Sequence, residues 1–154
     1  MKQTFLKLFI VLTLLLILPA TGLQAAEIHK AASAGDLETV KRLLEQNPKL
    51  LQEMDENGRT PLHWACRGVH FDLVKYLVER GADVNARDNG AMAPLHSVAS
   101  RGHLDAAKLL LAAGARVDAE TKGGWTALHL AAANGHTAMA ALLLDKGAHL
   151  DIRD

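Results

Sequence analysis

Gly58-Arg59-Thr60-Pro61-Leu62-His63-Trp64-Ala65 decides the fold of this chain, because each residue in it has a reason to stand where a helix begins. Asn57-Gly58 makes a turn, Thr60 can cap a helix, and Pro61 sits at the first helical position, where a missing N–H costs nothing. His63 then falls at the third helical position, from which its imidazole reaches back to the cap in the manner of a capping box. The first helix is expected to run to about Val69, a break follows at His70-Phe71, and a second helix carries Leu73, Val74, Leu77 and Val78 at helical spacing. Gly81 supplies a left-handed end. Neither helix, at roughly two to three turns, can bury its apolar stripe alone, so stability must come from stacking on neighbouring units.

Those neighbours exist. Pro61-Leu62-His63, Pro94-Leu95-His96 and Ala127-Leu128-His129 recur at a constant interval, as do Gly81-Ala82, Gly114-Ala115 and Gly147-Ala148. Self-similarity of this kind means a solenoid. The stretch Gly58 to Ala65, with Gly81-Ala82-Asp83-Val84-Asn85, resembles the ankyrin consensus, and the match continues through Ala93 to Glu120 and through Gly124-Trp125-Thr126-Ala127-Leu128-His129-Leu130-Ala131-Ala132. A weaker copy precedes these, with Ile28-His29-Lys30-Ala31-Ala32, Gly35-Asp36 and Val40 to Leu44 in register and a one-residue insertion around Asn47-Pro48. Its polar character suits an N-terminal cap.

The resemblance implies an all-α ankyrin-repeat solenoid of four helix-turn-helix units joined by β-turn or hairpin loops, at approximately residues 26–54, 55–87, 88–120 and 121–154. Three departures stand out: Val69 replaces the glycine between the helices, Ala93 replaces the capping threonine, and Val98 replaces a small alanine. Loss of a cap costs about 0.5–2 kcal/mol, so the third repeat is expected to be modestly loosened.

The N-terminus reads differently. Lys2 and Lys7 precede an apolar run from Leu8 to Leu18, followed by Pro19 and small residues, which is the plan of a secretory signal peptide over residues 1–25. The run would make a helix of about 16 Å, well short of the roughly 30 Å of bilayer hydrocarbon, so a membrane span is not expected. Leu23-Gln24-Ala25 before Ala26 satisfies the small-residue rule for cleavage near Ala25/Ala26. An exported protein is expected, in a periplasm first and secreted as the alternative, with no membrane association after cleavage. Beyond the leader, 15 of the 17 basic residues face 17 acidic ones, interspersed, which leaves no basic footprint for nucleic acid. The single cysteine, Cys66, has no partner for an internal disulfide and takes a small-residue position on an apolar helix face, where a buried, inert thiol is expected.

Eight histidines invite a metal-site hypothesis, and the repeat disposes of seven. His29, His63, His96 and His129 share the first-helix position, while His70, His103 and His136 share the interhelical one; His149 lies in a loop. Packed helices sit about 10 Å apart, too far for two such imidazoles to share one zinc. No His-Glu-x-x-His, cysteine pair, nucleophile elbow or phosphate loop is present, and stacked short helices offer grooves rather than pockets. Neither metal, cofactor nor catalysis is expected.

In the ankyrin family partners usually lie along the concave side, touching turn tips and exposed first-helix positions. Carried onto this sequence, the resemblance implies tips at Glu56, Asn57, Arg59, Asn89, Met92, Lys122 and Trp125, and first-helix positions Ser33, Arg67, Ser100, Arg101 and Asn134. Trp125 at a tip reads either as a contact or as a ring folded over the adjacent turn, whereas Trp64 is expected to pack against a neighbouring repeat. The last helix, Ala138-Met139-Ala140-Ala141-Leu142-Leu143-Leu144, has no polar cap after it, which suggests self-association or a partner on that face. The function expected is an exported protein-binding adaptor, inhibitor or stabiliser. The alternatives are an immunity or antagonist protein that occludes a toxin or enzyme and, further off, a small exported hydrolase.

Overall fold

The computed structural model describes residues 20–150. Eight α-helices follow one another in four pairs: α1 (Ala20–Ala34) with α2 (Leu37–Gln46), α3 (Pro61–Gly68) with α4 (Phe71–Glu79), α5 (Pro94–Ala99) with α6 (Leu104–Ala112), and α7 (Ala127–Ala133) with α8 (Thr137–Asp145). The first helices stack on one another in order, and each second helix packs back on its own first helix. Among the described residues there is no strand: the connecting loops close as tight turns, with the N–H of Asp55, Asp88 and Thr121 donating to the carbonyls of Arg59 at 3.0 Å, Met92 at 3.0 Å and Trp125 at 2.9 Å. Of the β-turn or hairpin loops expected, the described residues show the turns.

The repeat register is visible in the core. Ile28, Leu62, Leu95 and Leu128 from the first helices meet Leu43, Leu77, Leu110 and Leu143 from the second, all buried. Ala32, Cys66 and Ala99 are fully buried between stacked helices, where only a small side chain allows close approach. Burial drives the Cys66 thiol far above its ordinary range, because a thiolate there would have no solvation.

Helix starts follow the sequence logic. Thr60 and Thr126 cap α3 and α7 with Pro61 and Ala127 next in line, whereas Ala93, lacking a hydroxyl, keeps only its backbone N–H bond to His96 Nδ1 at 3.0 Å. At the other end of each first helix the chain turns through a left-handed residue: Gly35, Val69, Gly102 and Gly135. Val69, at φ 65°, is a β-branched residue in a conformation that favours glycine.

Two features of the first repeat differ from expectation. The insertion at Asn47-Pro48 is taken up by a 3-10 turn, Pro48–Gln52, that buries Leu50. Helix α1, Ala20–Ala34, takes in residues ahead of Ile28, where the repeat match starts, and Ala25 packs against the core. The expected cleavage point at Ala25/Ala26 therefore lies inside α1, and the leader's charged and apolar parts lie outside the described residues. Among the described residues no helix is long and apolar enough to cross a membrane.

Candidate functional site

Two of the first-helix histidines, His63 and His96, tie their repeats to the next. The Thr60 backbone N–H donates to His63 Nδ1 at 3.1 Å, which makes Nδ1 the acceptor and leaves Nε2 to carry the proton. That Nε2–H donates to the Met92 carbonyl in the following turn at 3.0 Å. His96 repeats the arrangement, with Nε2 at 2.9 Å from the Ala119 carbonyl and 3.2 Å from that of Trp125, and His29 Nε2 lies 2.9 Å from the Glu53 carbonyl. Burial lowers the pKa of both His63 and His96, which holds the imidazoles neutral in this tautomer. In the last repeat His129 takes the Thr126 N–H at 3.1 Å but no inter-repeat bond is formed among the described residues. These histidines are fasteners, and the order of the turn tips rests on them.

The tips are also laced directly. Asn89 donates its backbone N–H to the Asn57 carbonyl at 2.8 Å and its side-chain amide to the Glu56 carbonyl at 3.1 Å. Lys122 N–H reaches the Gly90 carbonyl at 2.9 Å. Glu56, Asn57, Asn89 and Lys122 thus form one exposed row held at fixed spacing, with their side chains other than that of Asn89 turned to solvent. A rigid row of this kind presents side chains at low entropic cost to a partner.

Beside the tips, Trp64 is half-buried and its indole N–H donates to Asp55 at 3.0 Å. The Arg59 guanidinium lies 5.3 Å from its ring and that of Arg67 5.8 Å away, so the indole has two cations beside it. Arg59 is held by Asp88, whose carboxylate is 3.3 Å from Nε and itself largely buried. A shallow groove of 420 Å³ opens next to Trp64, lined also by His29, Lys30, Ser33 and Ala34 of the first repeat. Trp64, expected to pack against a neighbouring repeat, bonds and stacks within its own repeat and shares the open groove with the first.

The other first-helix residues take positions at helix ends. Ser33 and Ser100 lend their carbonyls to His70 and His136 at 3.0 and 3.1 Å, and Arg67 and Arg101 are exposed. Asn134 caps α7, its amide donating to the Leu130 carbonyl at 2.8 Å. Met92 is half-buried under its turn. Trp125 is 48 % exposed and meets His129 edge-on at 6.1 Å, so its ring leans on the turn while a large apolar face stays in solvent. Of the twelve residues, Ser33, Arg59 and Arg67 lie at Trp64 and its groove, and Glu56, Asn57, Asn89 and Lys122 form the laced row of tips; Met92, Ser100, Arg101, Trp125 and Asn134 are not brought to either by a bond or shared groove among the described residues.

Comparison with known proteins decides the family. The family profile described as "Ankyrin repeats (3 copies)" matches residues 11–88 and 87–154. The chain belongs to the ankyrin-repeat family. Its repeats are similar to those of a palmitoyltransferase, akr1, of Schizosaccharomyces pombe, with 46% identity over 56 residues, which is 36% of this chain and 9% of that protein. An acyl-CoA-binding domain-containing protein 6 homolog of Dictyostelium discoideum is 42% identical over 52 residues, 34% of this chain and 18% of that protein. The serine/threonine-protein kinase VIK of Arabidopsis thaliana is 47% identical over 57 residues, 37% of this chain and 13% of that protein. The chain spans less than a fifth of the length of these relatives, so the likeness is one of ankyrin repeats and not of whole proteins. Ankyrin repeats are protein-interaction modules.

Lys30 and Asp88 were not singled out from the sequence. Lys30 carries no repeat signature, and Asp88 acts only through Arg59, an inter-repeat pairing that spacing alone does not reveal.

Proposed function

We propose that this ankyrin-repeat protein is exported and binds a protein partner along the groove between Trp64 and the turn tips, acting as an adaptor, inhibitor or stabiliser rather than as an enzyme. The observation that carries the reading is the indole with its two cations: Trp64 with Arg59 and Arg67 within 6 Å of its ring, at the edge of an open groove, combines the two side-chain types that most often dominate binding energy. Exposed Lys30, Arg67 and Arg101 along the first-helix ends favour an acidic segment on the partner. Export rests on the Lys2, Lys7 and Leu8 to Leu18 pattern. An immunity or antagonist protein that occludes a toxin or enzyme would use the same surface and differs only in what it captures.

The test is affinity capture from the exported fraction with the parent chain beside Arg67→Glu with Trp125→Ala, both required to keep full helicity. A single protein held by the parent and lost with the variant supports the reading and names the partner. Equal capture by both places the contact elsewhere.

A second contact is favoured by the last repeat. Ala132 is exposed although its counterparts Cys66 and Ala99 are fully buried, and Leu144 is 41 % exposed on the same side. We assign this face to self-association through two copies of the last repeat. Sedimentation velocity across a wide concentration range checks it: a monomer throughout removes the dimer.

A further inference from the structure

Between adjacent repeats the interhelical histidine acts as a wedge. His70 sits over Gly35 and beside Gly68, so close that a Cβ on either glycine would lie 2.4 Å from the imidazole, and its Nε2 reaches the Ser33 carbonyl at 3.0 Å. His136 sits likewise over Gly102, where a Cβ would lie 2.7 Å from the ring, and bonds the Ser100 carbonyl at 3.1 Å. At the middle junction the residue in the register of Gly35 and Gly102 is Val69, at φ 65°, which carries the Cβ that those glycines lack. Among the described residues His103 makes no such bond to the preceding repeat.

A second departure falls on the same spot. Leu73 closes the junction between the first and second repeats, and the residue in its register one repeat later is Ala106. At the first junction the depression lined by Gly35, Leu37, His70, Phe71, Asp72 and Leu73 measures 200 Å³. At the middle junction the matching positions, Val69, Phe71, His103, Leu104, Asp105 and Ala106, enclose 370 Å³, and the cleft reaches inward to Cys66, Val74 and Val98. With Val69 in place of glycine and Ala106 in place of leucine, the smaller depression of the first junction becomes at the middle one a cleft of the size that takes small molecules, roughly 300–1,000 Å³.

We infer that this cleft is a binding site for a small neutral molecule, with an aromatic or branched aliphatic body and one hydrogen-bonding head. The walls set the body: Val69, Phe71, Val74, Val98 and Leu104 are apolar, and Phe71 is 42 % exposed at the edge. The mouth sets the head. Asp105 and Lys108 oppose each other in charge, which selects against a net charge on the ligand, and the His103 ring, which also lines the cleft, can donate or accept a hydrogen bond. A single leucine or phenylalanine side chain from a protein partner would leave much of the volume empty, which favours a free molecule over a docked peptide. The site lies at the interhelical ends, away from the turn tips, and does not depend on the partner-binding reading.

The probe is N-phenyl-1-naphthylamine, a neutral aryl amine whose fluorescence rises on leaving water, titrated into the full chain. Val69→Gly restores the glycine that the other junctions carry, and Ala106→Leu restores the side chain that the preceding repeat carries, so both replace a residue by one the fold already uses. Saturable one-site binding to the parent, weakened about tenfold or more in each variant, with a shift of the His103 ring signals in the NMR spectrum of the parent alone, is expected. No saturable binding to the parent, or equal binding to the parent and both variants, overturns the site. The double variant guards against partial filling by either change: binding retained there also overturns it.

Discussion

Replacing His63 by leucine tests whether the histidine row fastens one repeat to the next. The side chain is 3 % exposed and holds two backbone groups, the Thr60 N–H at 3.1 Å and, across the repeat boundary, the Met92 carbonyl at 3.0 Å. Leucine fills most of the volume but satisfies neither. Each buried orphan costs about 1–3 kcal/mol, so the loss of two is about 2–6 kcal/mol. At about 3–4 °C per kcal/mol for a domain of this size, the melting temperature should fall by roughly 6–24 °C. His129→Leu is the internal control. There the imidazole holds the Thr126 N–H at 3.1 Å and bonds no following repeat among the described residues, so the expected loss is about half as large. His63→Gln should fall between, since glutamine at the third helical position serves the cap but does not reach Met92 as well. Far-UV circular dichroism melts on the three variants and the parent suffice. Equal losses for His63→Leu and His129→Leu would refute the reasoning, because the inter-repeat bond would then contribute nothing.

Acid should loosen the same fasteners. His63 and His96 titrate below the usual value of about 6.5 in the folded chain, so the unfolded chain takes up protons first as pH falls. Stability is therefore flat above about pH 7 and declines as pH drops through 6.5, a trend that urea melts across pH would show and that His96→Gln would flatten. Gly35→Ala should cost more than Gly81→Ala, although both glycines have positive φ, because a Cβ at Gly35 meets the His70 ring at 2.4 Å while at Gly81 nothing lies within 4 Å. Chemical denaturation midpoints read the difference, and equal shifts would remove the wedge. Cys66 should resist a thiol reagent in the folded chain and react once denaturant is added, because its thiol is fully buried and pushed up in pKa. Fast labelling without denaturant would mean that the second repeat opens locally. Mass spectrometry of the chain from an exported fraction should find an N-terminus at Ala26, and an intact Met1 in that fraction would exclude cleavage.

The repeat period, the capping threonines, the prolines at helix starts and the glycines at their ends specify the helical pairs locally, which is why the solenoid is readable from residues such as Thr60, Pro61 and Gly81 alone. The candidate contacts were legible in the same way, as positions in a register. What spacing does not encode is the partner of a side chain in the next repeat. That His63 reaches Met92, that Asn89 laces two tips, that Arg59 and Arg67 lie at Trp64 with Asp88 behind, and that the loops close as turns without strands depend on how one repeat sits on another. The departures show the limit most clearly. Val69 and Ala106 read singly as a strained residue and a small one; only the stacking of the second repeat on the third brings them to one seam, where both line the cleft. Local conformation is fixed by short-range sterics and capping within a few residues, whereas the volume left between two surfaces is a property of both.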